Sequence, residues 1–177
     1  MKSSNRYHIG SVILHWFIGM AVLVQISLGF WMIDLPKTPP GLRAGWFNIH
    51  KSVGITIGLL ILIRIIWRLM HRPPSLPDFL TSKERLLAKA GHFALYISMI
   101  CVPLTGFLGS SFSKYPIKYF NIELPKMLAA NDSLKDLMRE LHEVSVIVLL
   151  SLITIHVIAV LKHLLLDKKN ILNRMWF

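Results

Sequence analysis

Eight histidines stand in a chain of 177 residues. Two of them, His142 and His156, lie fourteen residues apart in one apolar stretch. A helix turns about 100° per residue, so both imidazoles leave the same face. At about 1.5 Å of rise per residue they stand roughly 21 Å apart along the axis. The apolar core of a bilayer is about 30 Å thick, which puts one histidine near each membrane face. Imidazole nitrogens are ligands for iron and other transition metals. Two histidines stacked on one membrane helix suit two haems, one above the other. Each haem then needs a second histidine from another helix at matching depth.

The chain supplies them. His15 comes about one turn into the first apolar run, at the depth of His156. His50 comes about one turn into the second, at the depth of His142. Axial ligation by two histidines fills both open positions of a haem iron, giving an electron carrier rather than an oxygen binder. Other readings stay open. His8 and His163 lie seven residues from His15 and His156 on the same stripes; as an inner pair they would hold a haem at headgroup level, poorly buried. His92 has the inner depth, and with His163 it either lines a quinone pocket or sits at the interface. His71 reads as a loop residue. A proton relay or a haem-free transporter is the competing use of membrane histidines. A zinc site would want carboxylates or thiols at the same depth. Only Glu143 comes near, and the helix turns it to another face. Haem propionates need cations: Arg68, with Arg64 second, is placed for the inner haem, and Lys51 and Arg139 for the outer one. The same cations also serve as topology charges.

The elements that must position these residues are apolar runs. The composition is 54% hydrophobic with a mean hydropathy of +0.55. Four runs are long enough to cross a membrane as helices, approximately 11–32, 47–69, 90–112 and 134–166. The expected fold is all-α: an integral-membrane four-helix transmembrane bundle, one domain over 1–177. The first run contains His15 and Gln25 and ends at Asp34-Leu35-Pro36, so it reads as a retained helix rather than a signal peptide. Ser11 is its expected N-cap. Pro36, Pro39, Pro40 and Gly41 break the chain before the second helix. Gly19 and Gly54 each follow a candidate ligand by four residues, where a flat macrocycle can lie against the backbone. Pro103 is expected to kink the third helix. Gly106 and Gly109 thin its outer part for close approach. The outer loop 113–131 is expected on the membrane surface. Ser133 with Asp136 resembles a capping box that opens the fourth helix.

The net charge of +11 does not point to nucleic acid. The basic residues flank apolar runs and form no separate aromatic-interleaved patch. With four helices, twelve of the twenty fall on the side of the termini, so the positive-inside rule puts both termini in the cytoplasm. The single cysteine, Cys101, excludes an intrachain disulfide. No Cys-x-x-Cys-His occurs, which excludes covalent haem attachment.

The order of the motifs resembles a known family. His15-Trp16 stands in the first helix and His50-Lys51-Ser52-Val53-Gly54 in the second. Gly91-His92-Phe93-Ala94-Leu95-Tyr96 and Val102-Pro103-Leu104-Thr105-Gly106 follow in the third. Leu141-His142-Glu143 and Ile155-His156-Val157 stand in the fourth, before the basic tail from Lys168 to Met175. Together they resemble the bacterial cytochrome b561 family over nearly the whole chain. The resemblance implies a bacterial inner-membrane cytochrome with two non-covalent haems b: His15 and His156 on the cytoplasmic side, His50 and His142 on the periplasmic side. It implies lipid and quinone as partners. Characterised relatives include a superoxide oxidase, which passes electrons from periplasmic superoxide to ubiquinone. Other relatives are non-catalytic cytochrome subunits that serve a hydrogenase or dehydrogenase. Lys51, Lys114, Lys118 and Arg139 could steer an anion such as superoxide.

Overall fold

The structure, a computed structural model, describes residues 6–38 and 41–176. Lys2, Pro39 and Pro40 lie outside the described residues. Among the described residues four helices are long and apolar enough to cross a membrane: α1 (Ile9–Ile33), α2 (Leu42–Met70), α3 (Ser82–Ser111) and α4 (Asp132–Leu161). A π-helical turn, Lys162–Leu166, continues α4, and a 3₁₀ turn covers Leu172–Met175. The fold is an all-α membrane bundle. α1 lies against α2, α2 against α3, and α3 against α4.

Every helix starts earlier than its apolar run, because hydropathy registers the span and not the polar turns outside it. α1 is capped by His8, whose Nδ1 accepts from the Gly10 N–H at 3.2 Å, and Ser11 lies inside the helix. α2 opens at Gly41, whose φ of 98° only glycine adopts readily. α3 begins eight residues before its expected start, at a capping box. There the Thr81 hydroxyl accepts from the Glu84 N–H at 3.3 Å, and Glu84 Oε2 accepts from the Thr81 N–H at 3.0 Å. α4 is capped by Asn131, which accepts from the Leu134 N–H at 3.0 Å, rather than by Ser133.

The loop between α3 and α4 lies at the end of the bundle away from the termini, labelled outer against the inner end that carries them, and contains a short hairpin, β1 (Lys118–Tyr119) and β2 (Ile122–Glu123). It is bound to the outer end of α2. Ser52 has no solvent exposure. Its hydroxyl accepts from the Phe120 N–H at 2.6 Å and donates to the Asn48 carbonyl at 2.8 Å. The Asn48 amide donates to the Phe120 carbonyl at 2.6 Å, and Tyr119 and Thr56 share a hydrogen bond of 3.0 Å between their hydroxyls. At the other end the 3₁₀ turn is tied beneath α1 by the Trp16 indole, which donates to the Met175 carbonyl at 2.7 Å.

The buried core is small and lies between the helices. It is Ile18 and Val22 of α1, Ile57 and Ile61 of α2, and Leu149 of α4. Much of the remaining apolar surface faces outward, as lipid as solvent requires.

Candidate functional site

Two histidine pairs occupy the bundle at two levels. At the inner level the rings of His15 on α1 and His156 on α4 stand 6.3 Å apart, centre to centre, at 72°. At the outer level the rings of His50 on α2 and His142 on α4 also stand 6.3 Å apart, at 89°. Val22, Ile57 and Leu149 form a layer between the levels. Each lies seven residues, about two helical turns, from a histidine on its own helix. Leu149 is seven from both His142 and His156 and is 2% exposed.

The surroundings of each ring are specific. His142 lies 2.9 Å from the Val102 carbonyl by its Nδ1 and 3.4 Å from the Thr105 hydroxyl. A carbonyl only accepts, so Nδ1 carries the proton and Nε2 keeps the lone pair. The Cε1–Nδ1 edge of the ring comes close to α3 because Gly106 has no side chain: a Cβ there would stand 3.0 Å from His142 Cε1. His50 has a matching neighbour in Gly29, whose Cβ would stand 3.2 Å from His50 Cε1. The carbonyl of His50 accepts from the Gln25 side chain at 2.5 Å. At the inner level Arg64 Nη2 lies 3.2 Å from His15 Nδ1, and Arg64 Nη1 donates to the Ser11 carbonyl at 3.3 Å. A third histidine, His92 of α3, stands 5.7 Å from His156 between ring centres. A Cβ on Gly19 would meet no atom within 4 Å, whereas one on Gly54 would meet the Gln25 side chain at 3.4 Å. Of the two glycines, Gly19 leaves open space and Gly54 serves helix contact.

The remaining candidates divide. Arg68 stands over the Tyr96 ring at 5.4 Å and lines an inner cleft with Arg64, Trp67 and His71. Lys51 is half-buried beside His50. His163 is not brought to His92. Its Nδ1 is 2.7 Å from Asp167, and its ring meets the edge of Phe79. Glu84, His163 and Asp167 offer donor atoms within 4.8 Å of one another. The Lys162 ammonium already lies between the two carboxylates, at 2.8 and 3.0 Å. His8 is not brought to His163 either; it lies against Trp67 and His71, which stack at 4.2 Å. Among the outer cations, Lys114 pairs with Asp132, Lys118 with Glu123, and Arg139 with Asp136 and Glu143.

The donor set fits a metal held from two sides. Two metal–nitrogen bonds of about 2 Å each, with the near half of each ring, span a separation of 6.3 Å. A tetrahedral ion would want four donors, and at the outer level the rings supply two. His50 Nδ1 is buried without a hydrogen-bond partner among the described residues.

A four-helix membrane bundle with paired histidines near both of its ends belongs to the class of membrane b-type cytochromes. A sequence profile of the prokaryotic cytochrome b561 family matches residues 6–177, and the chain belongs to that family. Its relatives include Cytochrome b561 homolog 2 of Escherichia coli (strain K12), 32% identical over 98% of this chain and 93% of that protein. The probable superoxide oxidase CybB of Yersinia pestis is 27% identical over 96% of this chain and 95% of its own length. Cytochrome b561 homolog 1 of E. coli is 24% identical over 97% of each. Membership makes the protein a haem b-binding electron carrier of a bacterial membrane.

Proposed function

We propose that the chain holds two haems b, one through His15 and His156 and one through His50 and His142, and moves electrons from the outer to the inner face of the membrane. The observation that carries this reading is the equal ring separation, 6.3 Å, at both levels. A haem held by two histidines exchanges one electron at its iron. The residues of the chain do the rest. Val102 fixes the His142 tautomer, Gly106 and Gly29 admit the outer rings, and the Leu149 layer keeps the space between the levels apolar. Arg68 is assigned to the propionates of the inner haem, and Lys51 to those of the outer. Both termini lie in the cytoplasm, which makes the end of α1 that carries His15 the inner one.

The donor assigned is periplasmic superoxide and the acceptor is ubiquinone, supported by the 27% identical relative named a probable superoxide oxidase. Two superoxide ions each lose one electron to become dioxygen, and one quinone takes both electrons and two protons to become quinol. His92, in contact with His156, is the candidate to meet the quinone. His163 is engaged by Asp167 and is the weaker one.

The test begins with haem per chain on detergent-purified protein, by the pyridine haemochrome spectrum. The expected ratio is two, falling to one in His156→Ala and in His50→Ala. Purified protein with superoxide and a soluble ubiquinone should then form quinol. Two haems without quinol formation would leave the di-haem carrier standing and transfer the donor role to a partner enzyme. If both histidine variants kept two haems, the pairing would be wrong.

A further inference from the structure

The two histidine pairs have the same ring separation and different neighbours. At the outer level a carbonyl faces His142 Nδ1 at 2.9 Å. Hydrogen bonding of a ligand N–H to a carbonyl makes the imidazole a stronger electron donor, which favours the oxidised metal. At the inner level the group against His15 Nδ1 is the Arg64 guanidinium, at 3.2 Å. Arginine is always charged and only donates. Ligation through Nε2 with a proton on Nδ1 would turn Arg64 Nη2 aside. The bond from its Nη1 to the Ser11 carbonyl, one turn before His15, still holds the charge beside that ring.

The wider charge distribution has the same sense. The inner cleft is lined by Tyr7, Ser11, Arg64, Trp67, Arg68 and His71 among others, and by no carboxylate. Of the acids at that end, Glu84 and Asp167 are taken up by Lys162 and Asp78 is paired with Arg85. At the outer level Lys51 adjoins His50, but α4 carries the exposed Asp136, Glu140 and Glu143 within two turns of His142 along the helix. Arg139 is balanced there by Asp136 and Glu143, each at 3.9 Å. Positive charge opposes loss of an electron from a bound metal, and negative charge favours it.

We infer that the chain builds a redox slope from its own groups: Arg64 raises the midpoint potential of the haem bound through His15, and the Val102 carbonyl lowers that of the haem bound through His142. An electron given up at the outer level is thereby drawn to the inner one. This rests on the haem assignment proposed above.

The experiment is a spectroelectrochemical redox titration of the haem-loaded full chain. The wild type should give two waves. His50→Ala, which keeps the inner pair alone, should retain the higher wave, and His156→Ala the lower. Arg64→Gln should move the higher wave down and leave the lower in place. Arg64→Lys, which keeps the charge, should recover most of that shift. Two waves with the higher one retained by His156→Ala would overturn the slope and spare the haem assignment. So would two waves that Arg64→Gln leaves unmoved or moves equally. A wild-type chain that binds fewer than two haems would overturn the assignment, and the slope with it. The single-haem chains do not depend on Arg64 being replaceable.

Discussion

Gly106 of α3 and His142 of α4 are in contact, and the contact exists because glycine stands at 106: a Cβ there would lie 3.0 Å from His142 Cε1 and 3.1 Å from its Nδ1. The same ring is bonded to Val102, four residues before Gly106. Gly106→Ala therefore sets two effects against each other. Alanine gains about 1 kcal/mol of helix propensity over glycine. It also pushes the ring off the Val102 carbonyl, and disturbing the support of a metal-ligating histidine costs about 10–100-fold in affinity. The expected outcome is a chain that folds and loses its outer haem on dilution. Haem content and circular dichroism of the same sample measure both effects.

The Ser52 hydroxyl is one of three side chains of α2, with Asn48 and Thr56, that hold the hairpin. Ser52→Ala leaves the Phe120 N–H, now 2.6 Å from the hydroxyl of the buried Ser52, without that acceptor at a partly buried site. An unsatisfied buried donor costs about 1–3 kcal/mol. For a chain of this size each kcal/mol lowers the melting midpoint by about 2–4 °C. Thermal denaturation should fall by several degrees, and limited proteolysis within residues 113–131 should speed up. Ser52→Thr, which keeps the hydroxyl, should resist cleavage better than alanine does. Equal cleavage of serine and alanine chains would exclude the latch.

The clasp at the inner end of α4 depends on pH in a defined direction. The hydrogen bond from Lys162, and then that from His163, holds the Asp167 carboxyl below its ordinary value of 3.8. A group whose folded pKa is depressed contributes stability above its unfolded pKa and loses it as pH falls through the folded one. Asp167→Asn should therefore melt earlier than wild type at neutral pH and at mildly acidic pH. The difference should close only when acidification passes below the ordinary carboxylate range. Melting curves of both chains across pH measure it; a gap already closed at neutral pH would exclude the clasp.

How much of this was legible in the sequence depends on what kind of contact is asked about. The fourteen-residue spacing of His142 and His156, and the depths of His15 and His50, follow from helix geometry alone, and the structure brings those rings together. The start of α3 did not follow from hydropathy, although Thr81 and Glu84 carry a capping box in plain view. The hairpin left little signal, since its turn puts Phe120 at a φ of 53° with no glycine at that position. Arg64 on His15 and Val102 on His142 are contacts between helices. They depend on crossing geometry and side-chain rotamers, which no periodicity encodes. The sequence left open a pairing of His163 with His8 and a quinone pocket shared with His92. It could not register that Asp167, four residues on, takes up the His163 ring.

Leu149 separates spacing from ligation. It lies seven residues from His142 and from His156, on the face that carries both, and is 2% exposed. Leu149→Ala removes buried side-chain atoms between the two levels and leaves every histidine untouched. Large-to-small changes of this kind cost about 2–5 kcal/mol, depending on how far the site collapses. The melting midpoint should fall, while haem per chain stays at the wild-type ratio at low temperature. His156→Ala should do the reverse in ratio and lose one haem. If Leu149→Ala also lost a haem at low temperature, the layer would be positioning the histidines rather than only filling the space between them. The two levels would then be mechanically coupled. Leu149→Met, which keeps the volume, should restore both the midpoint and the ratio if filled space is all that the layer provides.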